Sequence, residues 1–236
     1  MFCAASWFQY LSASCSSPQG TNCGVSWISC LLWCANISFD FLESPIKYND
    51  LEKKQEDSNK KELTEIKEIK EDYRQWWSAT KDSVTNLDKF DTLEESMELL
   101  VKKWNSENYS GILGFSQGSV LVQIFTFFCE TKKKVKTLEI NYPPKFVILA
   151  SSFAITDKTI KSEIDEYTTS KNKLKTPMCL MYGSKDSFVT KDQTLQILDY
   201  WNKEQCFELE HNGGHYVSTT KTTCELLFDF ITKYST

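Results

Sequence analysis

Histidine, glycine and proline are scarce in this chain of 236 residues, which has 2 His, 8 Gly and 5 Pro. Collagen-like and linker-rich proteins are therefore excluded. An excess of basic charge is also missing, because 27 Lys and Arg stand against 32 Asp and Glu, for a net charge of −5. A nucleic-acid interface needs a basic patch, so nucleic acid is not an expected partner.

Long apolar runs and paired cysteine motifs are missing too. The chain has no run of about 18 uncharged apolar residues, which is the length that a membrane-spanning helix needs. None of the 9 cysteines forms a Cys-x-x-Cys pair. Because the chain has only two histidines and no paired cysteine motif, a zinc site has little support, and we expect no metal site. The last four cysteines lie in apolar strand or helix patterns, which indicates buried free thiols.

The first 34 residues have an unusual composition. They contain more than half of the cysteines, and no Lys, Arg, Asp or Glu occurs before Asp40. A secretory signal has positive side chains before its apolar stretch, and this segment has none. Three alternatives stay open for 1–34: a strand and helix of the domain, a poorly specified segment, or a signal or membrane anchor.

A highly charged stretch follows at residues 47–74, in which both signs of charge alternate. Such a pattern is typical of a solvated helix or a flexible surface insertion. A partner-binding surface is the alternative. We predict that this stretch is an insertion in a domain that spans residues 35–236.

The rest of the chain alternates between apolar runs and helical patterns. Thr92 and Glu95 have the spacing of a capping box at the start of a helix. Strands that are apolar throughout and separated by helices indicate a parallel sheet covered on both faces, so the predicted fold class is doubly wound α/β. The predicted strands are Ile37–Leu42, Tyr109–Phe115, Phe146–Ala150, Met178–Tyr182 and Cys206–Leu209. The predicted helices are 92–106, Gln117–Glu130, Leu195–Trp201 and Thr222–Lys233.

The motif Gly114-x-Ser116-x-Gly118 lies between a predicted strand and a predicted buried helix. This is the nucleophile-elbow pattern, in which glycines relieve crowding in a sharp strand-to-helix turn. The serine hydroxyl is then presented at a helix N-terminus, where free N–H groups favour developing negative charge. A tight turn with a helix-capping serine is the alternative.

A serine nucleophile of this kind needs an aspartate and then a histidine later in the chain. Asp186 follows a predicted strand, and catalytic groups lie at the carboxyl ends of strands in such sheets; Asp192 is the fallback acid. Both histidines lie in one loop after the next strand. We predict His215 as the base, because the two glycines before it give the loop freedom, and His211 as a structural residue.

These segments together resemble the FSH family of serine hydrolases, a branch of the α/β-hydrolases. The resemblance spans about residue 35 to the C-terminus and implies an α/β-hydrolase fold, with a mostly parallel sheet and helices on both faces. The resembling segments are Ala35–Pro45, Tyr73–Trp77, Gly111–Ser119 (GILGFSQGS), Phe146–Phe153 (FVILASSF), Pro177–Val189 with GSKDSFV, and His211–His215 (HNGGH).

The resemblance implies a catalytic triad of Ser116, Asp186 and His215 and an oxyanion contact from the N–H of Gln117. It implies hydrolysis of a small-molecule carboxylic ester or thioester, with no metal or organic cofactor, and we expect a cytoplasmic enzyme without a membrane partner. Trp76 and Trp77 are predicted to bind the acyl group of the substrate; simple core packing is the alternative for this pair.

The N-terminus departs from the family pattern. Family members open with a strand and a loop of Leu-His-Gly type that supplies part of the oxyanion hole, and residues 1–34 contain no histidine. We therefore expect a divergent or incomplete first strand, and the second oxyanion donor is unassigned. A binding protein with impaired catalysis and a membrane-associated lipase-like enzyme are the alternatives to a soluble esterase.

Overall fold

The computed structural model describes residues 2–5, 37–47, 74–169 and 172–235. The rest of the predicted N-terminal segment and most of the predicted charged insertion lie outside these residues. The strands are β1 (Phe2–Ala5), β2 (Phe39–Leu42), β3 (Ile46–Lys47), β4 (Arg74–Gln75), β5 (Ala79–Lys81), β6 (Asp88–Phe90), β7 (Gly111–Phe115), β8 (Phe146–Ala150), β9 (Met178–Gly183) and β10 (Cys206–His211). The helices are α1 (Leu93–Ser106), α2 (Gln117–Thr131), α3 (Lys158–Thr169), α4 (Lys191–Leu195) and α5 (Lys221–Ser235).

A parallel sheet is the centre of the fold. Within the described ranges it has six strands in the order β10-β9-β8-β7-β1-β2, and every neighbouring pair is parallel. The first strand pairs on both sides along its four residues, so that Ala5 lies opposite Leu42 and Gly114. The strand expected to be divergent or incomplete is therefore short, but it occupies an interior position in the sheet.

The central strands are apolar throughout because helices cover both faces of the sheet. Side chains of successive strand residues point to opposite faces, and β8 shows this directly: Val147 and Leu149 join one core cluster, whereas Ile148 joins the other. The first cluster also takes in the buried side chains of α1 and α2, and the second includes Phe230 and Ile231 of α5. The predicted two-sided α/β architecture is confirmed.

Two local predictions at helix starts are wrong. Thr92 precedes α1, but its Oγ1 accepts the N–H of Ser78 at 3.1 Å and makes no capping hydrogen bond to the helix. The helix predicted at Leu195–Trp201 begins earlier, as α4, and continues as a 3₁₀ turn over Gln196–Asp199. A capping box between Thr190 and Gln193 sets that earlier start.

The last four cysteines of the chain are all free thiols, as predicted. Cys179 and Cys224 are buried, and Cys129 and Cys206 are half-buried. Burial raises the pKa of Cys179 to about 12 and that of Cys206 to about 11, so these thiols stay protonated and are poor nucleophiles. None of the described helices combines the length and the apolar character that a membrane span requires.

Trp104 packs α1 against α2, and its replacement tests the core. The side chain is fully buried, packs against Phe125 and donates from Nε1 to the carbonyl of Tyr142 at 2.9 Å. We expect Trp104→Ala to lower the free energy of unfolding by about 3–5 kcal/mol, measured by urea denaturation. Val84→Ala, at a side chain that is 89% exposed, is the control. Equal effects of the two substitutions would contradict this description of the core.

Candidate active site

Ser116 occupies a strained turn between β7 and α2. Its φ of 51° and ψ of −122° are rarely adopted by a residue with a side chain. The Ser116 N–H donates to the carbonyl of Ala150 at 2.9 Å, which ties the turn to the end of β8. A Cβ atom on Gly114 would lie 2.5 Å from the carbonyl oxygen of Gly118 and 2.5 Å from the Cα of Ser119, so the first glycine of the motif is needed for close approach.

The three predicted triad side chains lie in one hydrogen-bonded line. The Nε2 of His215 is 3.0 Å from the Oγ of Ser116, and its Nδ1 is 2.8 Å from the Oδ2 of Asp186. Because an ionised carboxylate can only accept, Nδ1 carries the proton and Nε2 is left as the acceptor for the serine hydroxyl. This is the arrangement that a general base needs.

Asp186 is a buried carboxylate with all of its partners in place. Its Oδ1 accepts the N–H groups of Phe188 and Val189, both at 2.9 Å. Burial raises the pKa of Asp186, but the hydrogen bonds from Val189, His215 and Phe188 outweigh burial, and the net pKa is lowered. The side chain therefore stays ionised. The fallback acid, Asp192, is instead exposed in the first turn of α4.

Backbone hydrogen bonds join the two loops that carry the acid and the base. The N–H of Ser184 donates to the carbonyl of His211, and the N–H of Lys185 donates to the carbonyl of Gly213, both at 2.8 Å. A Cβ on Gly183 would lie 2.3 Å from the carbonyl oxygen of Gly213, so the loops approach each other as closely as backbone allows. This contact fixes Asp186 relative to His215.

The second histidine is placed as a structural residue, as predicted. His211 is 7% exposed and packs against Tyr216, with the ring centroids 5.1 Å apart. Burial lowers the pKa of this histidine and outweighs the opposing effects of the Tyr216 backbone and the Asp186 carboxylate. Its ring is therefore neutral at ordinary pH.

Gln117 is the first residue of α2, so its N–H is one of the N–H groups of the first helical turn, which have no acceptor within the helix. Its side chain binds a separate segment: Oε1 accepts the N–H of Trp76 at 2.7 Å, and Nε2 donates to the carbonyl of Trp77 at 2.9 Å. The search for a second oxyanion donor concerns residues 1–34, and β1 is the only part of that segment that the structure describes. The second donor therefore stays unassigned.

The two tryptophan side chains are buried. Trp76 is 1% exposed and Trp77 is 3% exposed, and Trp77 stacks on Phe90 with the ring centroids 4.4 Å apart. This burial favours the core-packing alternative, and direct contact of either ring with a substrate stays a prediction. The backbone of the pair, not the rings, makes the hydrogen bonds to Gln117.

Sequence reasoning missed an aromatic residue beside the base. Phe188 is 80% exposed, and its ring lies 5.5 Å from that of His215, which also contacts Phe115 at 4.9 Å between centroids. An apolar residue two positions after the predicted acid was the available signal. Across the part of the chain that the structure describes, no group of three or more His, Cys, Asp or Glu could hold a metal ion.

Comparison with protein families gives a match to the model described as "Serine hydrolase (FSH1)" over residues 25–226. Among curated proteins, the chain is 26% identical over 138 residues to Esterase GA18864 from Drosophila pseudoobscura pseudoobscura, covering 58% of this chain and 43% of that protein. It is 26% identical over 174 residues to Esterase OVCA2 from Danio rerio, covering 70% of each chain. The chain spans only 43% to 46% of the length of three insect esterases that it matches.

Two solved structures share the fold. Zea mays acyl-protein thioesterase 2 has a TM-score of 0.53 at 15% identity, covering 69% of this chain and 73% of that chain. Arabidopsis thaliana SOBER1 has a TM-score of 0.52 at 14% identity, covering 89% of this chain and 90% of that chain. These likenesses confirm the predicted α/β-hydrolase fold.

The close approach at Gly114 can be tested by adding one methyl group. We expect Gly114→Ala to lower the free energy of unfolding by about 1–3 kcal/mol, because the new Cβ would overlap backbone atoms that cannot move away. Gly214→Ala is the matched control, since a Cβ there lies 3.8 Å from its nearest neighbour. Denaturant unfolding measures both variants. A Gly114→Ala protein as stable as the control would contradict the geometry of the turn.

The lowered pKa of Asp186 predicts a pH-dependent contribution to stability. An aspartate has a pKa of about 3.9 when unfolded, and the folded value is lower. The ionised carboxylate therefore contributes stability that is fully present above about pH 4 and is lost as the pH falls through the folded pKa. We expect the stability difference between the wild type and Asp186→Asn to shrink as the pH falls from about 4 to about 2. A difference that stays constant over this range would contradict the assignment.

Proposed function

The chain belongs to the FSH1 family of serine hydrolases, and we propose that it cleaves carboxylic esters or thioesters through an acyl-enzyme on Ser116. The observation that supports this most is the continuous hydrogen-bonded line from Asp186 through His215 to the Ser116 hydroxyl. Such a line activates a serine that would otherwise be a weak nucleophile.

The first chemical step is attack on the acyl carbonyl. His215 takes the proton from the Ser116 hydroxyl through Nε2 while the serine oxygen bonds to the carbonyl carbon. The ionised carboxylate of Asp186 stabilises the imidazolium that forms. His215 then gives its proton to the leaving alcohol or thiol, so the charge and the proton are returned before the next step.

The negative oxygen of the intermediate needs hydrogen-bond donors. The N–H of Gln117 is available at the N-terminus of α2, where the helix dipole also favours negative charge. Water then attacks the acyl-enzyme, with His215 again acting as the base, and releases the acid. Every proton transfer in this sequence uses a side chain of the triad, so the proposal includes no metal or organic cofactor.

The surroundings of the base suit an acyl group. Phe188 and Phe115 flank the imidazole and offer an apolar surface at the site, while Trp76 and Trp77 contribute through their backbone contacts to Gln117. The curated relatives are named esterases, and one structural neighbour is an acyl-protein thioesterase, which supports an ester or thioester substrate. The cytoplasmic location expected from the sequence stays a prediction.

A fluorophosphonate probe tests the nucleophile directly. We expect the folded wild type to be labelled at Ser116, identified by peptide mass spectrometry, and Ser116→Ala to be unlabelled. Hydrolysis of p-nitrophenyl esters of several chain lengths should disappear in Ser116→Ala. In Asp186→Asn, kcat should fall by a factor of about 10³–10⁴, because the neutral amide no longer fixes the tautomer of His215.

The matched control for this experiment is Asp192→Asn, which removes the exposed fallback acid and should leave turnover unchanged. If the folded wild type is unlabelled and turns over every ester no faster than Ser116→Ala, the enzyme proposal is overturned. The chain would then be a hydrolase-like binding protein.

A further inference from the structure

A line of buried hydrogen bonds runs behind the nucleophile turn. The hydroxyl of Ser119 donates to the carbonyl of Ser116 at 2.5 Å, and it lies 2.6 Å from the hydroxyl of Ser152. The amide Nε2 of Gln123 donates to the Ser152 hydroxyl at 2.9 Å. Ser119, Ser152 and Gln123 are all 0% exposed, so no water competes for these bonds.

The direction of every hydrogen in this line is fixed. A carbonyl can only accept, so the single hydrogen of the Ser119 hydroxyl points to Ser116, and the hydrogen of the Ser152 hydroxyl must then point to Ser119. The carbonyl of Phe153 lies 2.8 Å from one end of the Gln123 amide. Because a carbonyl can only accept, that end must be the donor, Nε2. All three donors are therefore aligned toward the Ser116 carbonyl.

The alignment of this carbonyl sets the direction of the N–H group of Gln117. In a planar trans peptide, the C=O of one residue and the N–H of the next point in opposite directions. The Ser116 carbonyl points to the buried hydroxyl of Ser119 and also accepts the N–H of Ser119 at 3.0 Å, so the Gln117 N–H faces away from the buried line. Aligned hydrogen bonds also polarise one another, which makes this N–H a stronger donor.

The Gln123 side chain also has an unsatisfied atom. Its Oε1 is buried and has no partner among the described residues. An unpaired buried acceptor is destabilising, and an apolar residue of similar length would avoid that cost. The donor end of the amide, which begins the line, is the part of this side chain that is used.

We infer that Gln123, Ser152 and Ser119 are positioning residues for the oxyanion contact, acting through the peptide between Ser116 and Gln117. The inference rests on the proposed function, since it assigns to these residues a role in the same acyl transfer. None of the three touches the triad hydroxyl, imidazole or carboxylate in the described contacts. Their effect reaches the substrate only through the Gln117 N–H.

Gln123→Met and Ser119→Ala test this role, because each removes a donor from the line without touching the triad. We expect kcat for a p-nitrophenyl ester to fall about tenfold with KM unchanged, since the contact is made only in the transition state. The affinity of an alkyl boronic acid, which forms a tetrahedral adduct on the serine, should fall by a similar factor.

Thr126→Val is the matched control. Thr126 lies on the same helix, is 0% exposed, and donates its hydroxyl to the carbonyl of Val122 at 2.8 Å, so its loss removes an equivalent buried hydrogen bond away from the turn. Circular dichroism and thermal unfolding first establish that each variant is folded at the assay temperature. A kcat in Ser119→Ala and Gln123→Met equal to that of Thr126→Val overturns the inference.

An NMR measurement on the free protein separates this inference from the proposed function. The Gln117 amide proton and the Ser116 carbonyl carbon should shift in Ser119→Ala and stay in place in Thr126→Val. If the wild type turns over no ester, the proposed function fails, and these two resonances decide only whether the buried line sets the peptide between Ser116 and Gln117. Unchanged resonances in Ser119→Ala then overturn it.

Discussion

The strained turn at Ser116 is the constraint on which the rest of the site depends. One residue with φ of 51° places a hydroxyl, a carbonyl and the next N–H in three different directions. The hydroxyl lies against His215, the carbonyl accepts from Ser119, and the free N–H belongs to Gln117. A relaxed backbone at this residue would change all three directions together. The chemistry therefore depends on interactions that keep the turn strained.

Those interactions come from elements that are distant in sequence. The Ser116 N–H donates to the last residue of β8, and the absence of a side chain at Gly114 lets α2 begin directly against the end of β7. The sheet is parallel and buried on both faces, so neither strand end can move without disturbing the core. The stability of the sheet thus offsets the cost of the turn, which is of the order of 1–3 kcal/mol for such a conformation.

The parts of the structure that could be predicted are those with a local sequence signal. Apolar runs predicted β7, β8 and β9. The spacing of Gly114, Ser116 and Gly118, together with the loops after later strands, predicted the three side chains that the structure brings into one hydrogen-bonded line. The capping box at Thr92 was wrong because a tertiary partner, the N–H of Ser78, takes its hydroxyl. The line from Gln123 to Ser119 has no local signal, since Ser152 enters it from the end of another strand. Pairings of this kind appear only when the topology is known.

Ser152 also helps to keep Ser116 and Asp186 aligned. Its hydroxyl belongs to the line that ends at the Ser116 carbonyl, and its own carbonyl accepts the hydroxyl of Thr194 at 2.8 Å. Thr194 lies in α4, the helix that directly follows the Asp186 loop. The helix after the Asp186 loop and the turn at Ser116 are therefore attached to the same buried residue. A displacement of either one would have to break a buried hydrogen bond, which is costly because no water can replace it. The separation of Ser116 and Asp186 is therefore restrained by the buried hydrogen bonds of Ser152 as well as by the imidazole of His215.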